Sequence, residues 1–402
     1  MKVGIYNEPS GSIGGSEYAV SVLAHALSER HQVEIVHHNQ TLAIDQLEQL
    51  SGLELANVRL RLVDRQEPPN LRFPSGLRNL HRRYRAEIDW EADFSRPYDL
   101  FIASTHGLPP FCHAPTGVLL TLFPLHDRVS VWPWVAVATT RNGLLKEKVK
   151  NSYYSWLWHE RFRSYRYRFS NSKYTRKWTR AWWGIETDIL YPPVDTFFEP
   201  VPKANLLLSV GRFSTVSHSK RQVEMMGAFS HLKRTALQEW CYHSVGGLGD
   251  HPADHDYFDQ VRRIARDCSA QVTANIARAD LRQLLSRAQI YWHAAGYGCD
   301  EKTNPFQAEH FGISTVEAMA AGCVPVVYDH GGQPEIVEHG RSGYLWRTLD
   351  ELGDYTRRLA QDDGLRQAMS VEAQRRATGF GRQAFLDNFV RLTKLRTAVL
   401  GH

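Results

Sequence analysis

Short apolar runs alternate along the chain with longer segments in which apolar residues recur every three or four positions. In the first half, such runs occupy residues 2–6, 33–37, 100–103, 118–122 and 167–171, and a helical pattern covers about 16–28. Strands of a covered parallel sheet are nearly continuous apolar runs, whereas amphipathic helices repeat with a period near 3.6. The pattern therefore predicts a β-α-β beginning and a parallel α/β domain.

A proline-rich segment, residues 191–202, lacks helical periodicity and predicts a linker between two domains. After it the alternation starts again, with predicted strands at 205–210, 240–245, 271–274, 290–293 and 324–328. Residues 349–400 show helical patterns alone. We therefore predict two doubly wound α/β domains, residues 1–195 and 196–380, followed by a C-terminal helical segment, residues 381–402.

Composition narrows the class of protein. The chain has 402 residues, 43% hydrophobic and 23% charged, which is typical of a soluble protein with two domains. The net charge of +5 does not favour a nucleic-acid partner. Five cysteines without paired spacing indicate reduced thiols. With no signal-peptide pattern and with polar interruptions in the apolar stretch 117–140, we expect a cytoplasmic protein without a membrane span.

A glycine-rich loop joins the first predicted strand to the first predicted helix and contains Gly14 and Gly15. Glycines allow close approach of a ligand, and the helix N-terminus offers N–H groups to an anion. The fingerprint G-x-G-x-x-G is absent, which argues against a nicotinamide cofactor. The alternative is a flexible connection in which Ser16 only caps the helix.

A second loop, after the strand predicted at 205–210, begins with Gly211 and Arg212, and Lys220 stands just before the next helix. Two cations and a helix dipole can hold a diphosphate without a metal ion. The alternative is a solvated basic loop, because lysine and arginine are usually exposed.

Two carboxylates stand eight positions apart near the start of a later helix. Glu309 precedes the turn Phe311-Gly312-Ile313, whose N–H groups suit a phosphate or sugar hydroxyls, and Glu317 lies inside the helix, where a ribose diol would fit. The alternative is a dipole-favoured acid and an exposed helical glutamate. The small residues that follow Glu317 disfavour a solvated face, because they indicate close packing.

These residues carry a resemblance. The frame E-H-F-G-I-S-T-V-E-A-M-A-A-G-x-x-P, from Glu309 to Pro325, resembles the retaining glycosyltransferases of family 4, which have the GT-B fold. The Gly14-Gly15 loop and the Arg212 and Lys220 pair resemble the other donor-site elements of that family, in the expected order. The sequences around Lys220 and Glu309 are also similar to the α-mannosyltransferases that extend the dolichol-linked oligosaccharide. Those enzymes carry a membrane anchor, which we do not expect here.

The resemblance implies two Rossmann-like domains that face each other across a cleft, with the C-terminal helices returning to the first domain. It also implies a retaining hexosyltransferase that needs no cofactor and no metal. The donor would be a nucleotide-diphosphate sugar of the UDP-glucose type or GDP-mannose. The acceptor, bound by the first domain, would be a glycan, a lipid-linked or a small-molecule hydroxyl.

The resemblance also assigns roles to individual residues. Arg212 and Lys220 would neutralise the diphosphate, and Glu309 would orient the sugar hydroxyls together with the N–H groups of residues 311–313. Glu317 would bind the ribose. Gly246 and Ile276 would line the pocket for the base.

Catalytic histidines are less well defined. Many relatives carry a histidine where this chain has Phe123, while His106 and His126 follow the ends of predicted strands. Each histidine is a candidate for a catalytic contact, with a structural role as the alternative. The pair Asp254 and Asp256 is spaced like a D-x-D metal motif, but its place at a predicted helix start favours capping, so we predict no metal site.

Residues 141–183 interleave aromatic and basic residues. Helices with aromatic residues in the core and arginines in water explain the pattern, and so does peripheral contact with an anionic membrane or a lipid diphosphate. Two further function classes stay open: a sugar-nucleotide epimerase of GT-B fold, and a basic protein that binds membranes or polyanions.

Overall fold

The computed structural model describes residues 1–8, 14–63, 82, 85, 88, 89, 91–127, 145–215 and 218–395, with only the backbone of 145–147 and 150. The chain divides into two compact units. The first unit contains Met1–Leu190 and the residues from Leu386 onward, and the second contains Tyr191–Phe385. The sequence placed these divisions after residues 195 and 380.

The first unit is built on a parallel seven-stranded sheet in the order β3-β2-β1-β4-β5-β6-β7. Its strands are β1 Lys2–Asn7, β2 Gln32–His37, β3 Val58–Leu62, β4 Leu100–Thr105, β5 Thr116–Thr121, β6 Tyr167–Ser170 and β7 Asp188–Ile189. Its helices are α1 Gly15–Ser28, α2 Ile44–Ser51, α3 Leu145–Arg163 and α4 Lys173–Trp183. The central strands β1 and β4 are apolar and buried almost throughout, as covered parallel strands must be.

The second unit repeats this topology in a parallel six-stranded sheet, ordered β10-β9-β8-β11-β12-β13. Its strands are β8 Leu206–Val210, β9 Cys241–Gly246, β10 Gln271–Ala274, β11 Ile290–His293, β12 Val324–Tyr328 and β13 Tyr344–Trp346. Its helices are α5 Gln222–Thr235, α6 Pro252–Asp267, α7 Arg278–Arg287, α8 Ile313–Ala320, α9 Gln333–Ile336, α10 Leu349–Gln361 and α11 Asp363–Ala377. Strand order reverses beside β8 in this unit and beside β1 in the first, and α/β sheets bind ligands at such points.

The last helix, α12 Arg382–Thr393, begins in the second unit and ends in the first. Within the first unit its Phe389 is fully buried, with its ring 6.5 Å from that of Phe169 in β6. Burial of this ring explains why the C-terminal residues belong to the first unit.

The ten strands predicted from apolar runs all form. Three strands escaped the sequence patterns, namely β3, β7 and β13, together with helix α2. All five cysteines are free, as predicted. Asp254 lies in the first turn of α6, but the capping side chain is His251, which accepts a hydrogen bond from the N–H of Ala253.

Candidate active site

The candidate site in the second unit lies at the carboxyl ends of β8 and β11. Gly211 and Arg212 follow β8 directly, His293 ends β11, and Glu309 lies on the segment that leads into α8. Both strands flank the point at which strand order reverses. Residues far apart in the sequence therefore meet where such a fold binds its ligand.

Glu309 is the centre of the site. Its Oε2 atom lies 2.5 Å from Lys220 Nζ and 2.9 Å from His293 Nε2, and His218 Nε2 is 3.9 Å away. Every one of these contacts uses the same carboxylate oxygen. Among the described residues no hydrogen bond reaches Oε1, and 12% of the side chain remains exposed. One carboxylate oxygen is therefore held by the protein, and the other is left for a ligand.

Electrostatics keep this carboxyl group ionised. Burial alone would raise the pKa of Glu309, but the charge of Lys220 and the hydrogen bond from His293 hold that pKa well below its ordinary value. Burial lowers the pKa of His293, and burial together with Lys220 lowers that of His218 well below the usual range. The site therefore contains a carboxylate, an ammonium group and neutral histidines.

Lys220 reaches Glu309 because a glycine leaves room for its stem. A Cβ atom at Gly211 would lie 2.5 Å from Lys220 Cγ, so a larger residue would push the lysine away. A Cβ atom at Gly246 would lie 1.8 Å from the carbonyl oxygen of Gly211. Gly246, predicted to line the base pocket, thus has a packing role beneath the β8 loop.

Arg212 is exposed, and its backbone carbonyl accepts a hydrogen bond of 2.9 Å from Gln222 Nε2. This bond and a second one from Gln222 Nε2 to the carbonyl of Gly211 fix the loop. Ile276, beyond the end of β10, packs part-buried against the core.

Glu317 is 5% exposed, so the prediction that it avoids a solvated face is confirmed. Its Oε1 atom lies 2.5 Å from Arg278 Nη2, and burial raises the pKa of Glu317. Sequence reasoning did not foresee this ion pair. It leaves the second carboxylate oxygen of Glu317 for a ribose contact, which stays a prediction.

The turn before α8 depends on a glycine. Gly312 has φ 121°, and a Cβ atom there would lie 2.8 Å from Gln333 Nε2. Within the described part of the chain, no hydrogen bond uses the N–H groups of Gly312 or Ile313. Phe311 is 3% exposed and its ring packs 5.6 Å from those of Tyr191 and Phe380. Phe311 is thus a core residue that anchors the turn.

Sequence reasoning missed His293, Gln333 and the turn Gly331-Gly332. A Cβ atom at Gly331 would lie 2.2 Å from the carbonyl oxygen of Glu309, and the N–H of Gly332 donates to that oxygen at 2.7 Å. This turn therefore supports the backbone of Glu309. Its signal in the sequence was two adjacent glycines three and four positions after the end of the buried strand β12.

The first unit has its own polar cluster at the carboxyl edge of its sheet. Glu17, 5% exposed in the first turn of α1, accepts hydrogen bonds of 2.8 Å from the N–H of Gly14 and from Ser16 Oγ, and one of 3.0 Å from Asn7 Nδ2. Glu17 thus uses the N–H of Gly14, and a donor contact of the Gly14-Gly15 loop stays a prediction. Gly15, the first residue of α1, is not bound in this way.

Glu8 organises the loop that carries His106. Its Oε2 atom accepts hydrogen bonds from Thr105 Oγ1 at 2.6 Å and from the N–H groups of His106 and Gly107, both at 2.7 Å. His126, beyond β5, is exposed, and its carbonyl accepts a bond from Trp183 Nε1. Phe123, in place of the family's histidine, is fully buried 6.1 Å from the ring of Tyr174.

The basic aromatic tract forms α3, β6 and α4, although its first residues, 141–144, lie outside the described residues. Most of its aromatic side chains pack inward, as the interpretation with aromatic residues in the core predicts, and the most deeply buried are Trp158, Phe162, Tyr165, Phe169 and Trp183. Trp156 is an exception at 53% exposure. None of the helices in the described ranges is both long and apolar enough to cross a membrane.

Comparison with known proteins bears on the family and the fold of the chain. Residues 195–376 match the family model of the glycosyl transferases group 1. The match lies within the second unit, and the resemblance to glycosyltransferase family 4 is confirmed. In sequence, the chain is similar to the GDP-Man:Man(3)GlcNAc(2)-PP-Dol alpha-1,2-mannosyltransferase of Dictyostelium discoideum, with 27% identity over 234 residues, 52% of this chain and 43% of that protein.

A second such mannosyltransferase, from Caenorhabditis elegans, is 28% identical over 231 residues, 52% of this chain and 46% of its own length. The chain therefore spans less than half of these relatives. Among solved structures, Anabaena Alr3699/HepE in complex with UDP-glucose aligns with a TM-score of 0.64 and 16% identity, over 98% of this chain and 99% of its own. WaaG, a glycosyltransferase of lipopolysaccharide biosynthesis, aligns with 0.60 and 15% over both whole chains. The predicted GT-B fold is confirmed.

Proposed function

We propose that the protein transfers a hexose from a nucleotide-diphosphate sugar to an acceptor hydroxyl and retains the configuration at the anomeric carbon. The proposal rests on the carboxylate of Glu309, of which only Oε2 has partners within the described residues, namely Lys220 and His293. The match of residues 195–376 to the family model of the glycosyl transferases group 1 supports it. So does the fold shared with a protein solved together with UDP-glucose.

The cations of the site suit the diphosphate. Lys220 gives one hydrogen bond to Glu309, and its ammonium group has two further N–H donors for phosphate oxygens. Arg212, exposed at the end of β8, adds a second charge. Both charges stabilise the transition state more than the bound donor, because negative charge grows on the phosphate as the leaving group departs.

The open Oε1 atom of Glu309 would accept a hydrogen bond from a hydroxyl group of the donor sugar. The N–H groups of Gly312 and Ile313 would contribute further donors, and the free oxygen of Glu317 would bind the ribose. In a front-face reaction the acceptor oxygen bonds to the anomeric carbon while the bond from that carbon to the phosphate oxygen breaks. The departing phosphate takes the acceptor's proton, so we propose that the step needs no metal and no cofactor.

The acceptor belongs to the first unit in this proposal. His106, whose loop is fixed by Glu8, is the candidate for a contact with the acceptor or the transferred sugar. The exposed His126 is the second candidate. A glycan, a lipid-linked sugar and a small molecule are all compatible with these contacts.

Thermal unfolding in the presence of UDP-, GDP-, ADP- and CDP-sugars tests the donor. A ligand bound only by the folded chain raises the unfolding temperature by mass action, and we expect a UDP- or GDP-sugar to do so. Donor cleavage is then measured with and without a panel of acceptor sugars. Absence of any nucleotide effect would contradict the proposal, and conversion of the donor to an isomer without acceptor would favour an epimerase.

A lipid-linked acceptor is favoured by one surface. Four cations of α4 lie at positions i, i+3, i+4 and i+7, all exposed on one helix face, and the helix has no acidic residue: Lys173, Arg176, Lys177 and Arg180. Such a face suits anionic phosphates at a membrane surface.

Co-sedimentation with vesicles tests this surface. Wild-type protein should bind vesicles that contain anionic lipid, less so at high salt, and the double change Arg176→Glu and Lys177→Glu should abolish binding. The matched control is Arg262→Glu with Arg263→Glu, two exposed arginines of α6. Equal binding by both double variants would remove the membrane interpretation.

A further inference from the structure

We propose that His293 is a positioning residue for Glu309, and that Gln333 selects the imidazole tautomer that does this. The inference rests on the proposed function, because it assigns the carboxylate a ligand to meet. It concerns residues that act through Glu309 and do not themselves contact the substrate.

The three side chains form a buried row. His293 Nε2 lies 2.9 Å from Glu309 Oε2, and His293 Nδ1 lies 3.3 Å from Gln333 Nε2. The histidine side chain is 2% exposed, and Gln333 is fully buried at the start of α9. Water therefore cannot replace either partner, and each hydrogen bond must be made within the protein.

The position of the proton follows from the two neighbours. Glu309 is ionised, so it can only accept a hydrogen bond, and the proton of a neutral imidazole must then stand on Nε2. Nδ1 is left as an acceptor, which requires Gln333 to present its amide NH2 group. The alternative amide orientation would demand a second proton on His293, and burial disfavours that charge.

Gln333 is held in this orientation at a cost. With its NH2 group toward His293, its Oε1 atom is buried without a hydrogen-bond partner in the described structure. Such an atom is unfavourable, and a chain tolerates it where another requirement outweighs it. A Cβ atom at Gly312 would collide with Gln333 Nε2, so the turn before α8 has room for this amide only with glycine at that position.

The consequence concerns the two oxygens of Glu309. Lys220 can pair with either oxygen, since an ammonium group imposes little direction. The hydrogen bond from the rigid ring of His293 is directional, so it assigns Oε2 to the protein and leaves Oε1 for the sugar. The other titratable groups that face Glu309 are His218, at 3.9 Å, and His310, stacked 5.0 Å from His218.

Enzyme kinetics test the positioning role. Loss of a hydrogen bond to a charged group should lower kcat of His293→Leu about 10- to 100-fold, while nucleotide affinity stays within about twofold. His293→Gln places an amide N–H near the position of Nε2 and should recover most of the loss. The matched control is His243→Leu, a buried histidine of β9 whose Nε2 lies 2.8 Å from Thr273 Oγ1, and it should keep wild-type kcat.

A spectroscopic readout tests the tautomer without turnover. In protein labelled with ¹⁵N-histidine, long-range proton–nitrogen correlations should show His293 with its proton on Nε2, assigned by the loss of its signals in His293→Gln. Gln333→Leu removes the group that selects this tautomer, and we expect a mixture of the two tautomers and a fall in kcat. Gln333→Glu places a second acceptor beside Nδ1 and should favour an imidazole with protons on both nitrogens.

The outcomes separate this inference from the proposed function. Unchanged kcat in His293→Leu, or a proton on Nδ1 in the wild-type protein, would overturn the positioning role. If the wild-type protein transfers no sugar, the proposed function fails, and the tautomer measurement still decides how His293 meets Glu309. If His293→Leu does not fold, the tautomer in the wild-type spectrum and the kcat and tautomer of Gln333→Leu test the inference instead.

Discussion

The carboxyl edges of the two sheets have the same topology and very different chemistry. In the first unit, Glu17 accepts three hydrogen bonds from its own surroundings and uses both of its carboxylate oxygens. Glu8 fixes the loop of His106 with three more, all through Oε2. In the second unit, Glu309 is bound through Oε2 only, by Lys220 and His293. Glu17 is therefore saturated by its own surroundings, whereas Glu309 keeps one oxygen for a ligand.

The difference shows that an acid at a strand end is not by itself a sign of catalysis. A carboxylate whose acceptor sites are filled by backbone N–H groups and hydroxyl groups stabilises the local turn. A carboxylate with one oxygen that accepts no hydrogen bond within the protein can bind a ligand through that oxygen. Such an arrangement often lowers the stability of the folded chain. The two kinds of acid should therefore respond in opposite ways to mutation.

The largest effect should come from Glu309→Gln. Glutamine can still accept hydrogen bonds from Lys220 and His293, so the fold should persist, with a similar unfolding temperature. Loss of the charge should lower the transfer rate about 10³-fold, because the site is built around a carboxylate. Rates of donor cleavage and unfolding temperatures measure the two quantities. A variant with normal turnover would remove the contrast between the two edges.

A smaller effect is expected from Arg212→Ala. Removal of a charge that we propose to contact the diphosphate should weaken nucleotide affinity and kcat/KM together, by about 10- to 100-fold. Isothermal titration with the nucleotide and initial rates provide both numbers. Arg262→Ala, which removes an exposed arginine of α6 in the same unit, is the control and should change neither. Loss in both variants alike would indicate a general charge effect.

In the first unit the same type of change should affect stability. Glu17→Ala leaves the N–H of Gly14, Ser16 and Asn7 without their acceptor, which should lower the free energy of unfolding by about 1–3 kcal/mol. Urea unfolding measures this, and turnover per folded molecule should change little. Glu29→Ala, at the exposed C-terminal end of the same helix, is the control. Equal stability of both variants would show that Glu17 is not structural.

The smallest expected effect is a loss of stability at acidic pH. The pKa values of His218, His243 and His293 in the second unit are lowered below 6.5 by burial, as is that of His37 in the first. Below pH 6.5 the unfolded chain binds protons that the folded chain does not, so stability falls as pH falls toward each folded pKa. Each histidine adds a slope of up to about 1.4 kcal/mol per pH unit.

Replacement of one such histidine checks the sign. His243→Gln should flatten the fall in unfolding free energy between pH 6.5 and 5, whereas replacement of the exposed His159 should not. Urea unfolding at several pH values measures the slopes. A steeper fall in His243→Gln than in the wild-type protein would contradict the assignment of a neutral buried imidazole.

Sequence patterns predicted the ten long apolar strands but missed β3, β7 and β13. The strand β3 alternates apolar and charged residues at the edge of its sheet, so its pattern differs from the continuous runs of covered strands. β7 and β13 contain only two and three residues, and pairing with a longer neighbour defines them. An alternation with a period of two residues cannot be recognised in an element of only two or three.

Local sequence determined the chemistry of the second unit. Short spacing makes its functional groups recognisable: the two carboxylates of α8 and its preceding turn, the cations after β8, and the glycine turns. Tertiary structure alone decided which oxygen of Glu309 is used, that His293 supplies the partner, and that Arg278 pairs with Glu317. It also decided that Glu17 consumes the N–H of Gly14. Partners of a buried charge come from strands and loops distant in the chain, and only folding brings their directional hydrogen bonds to one atom.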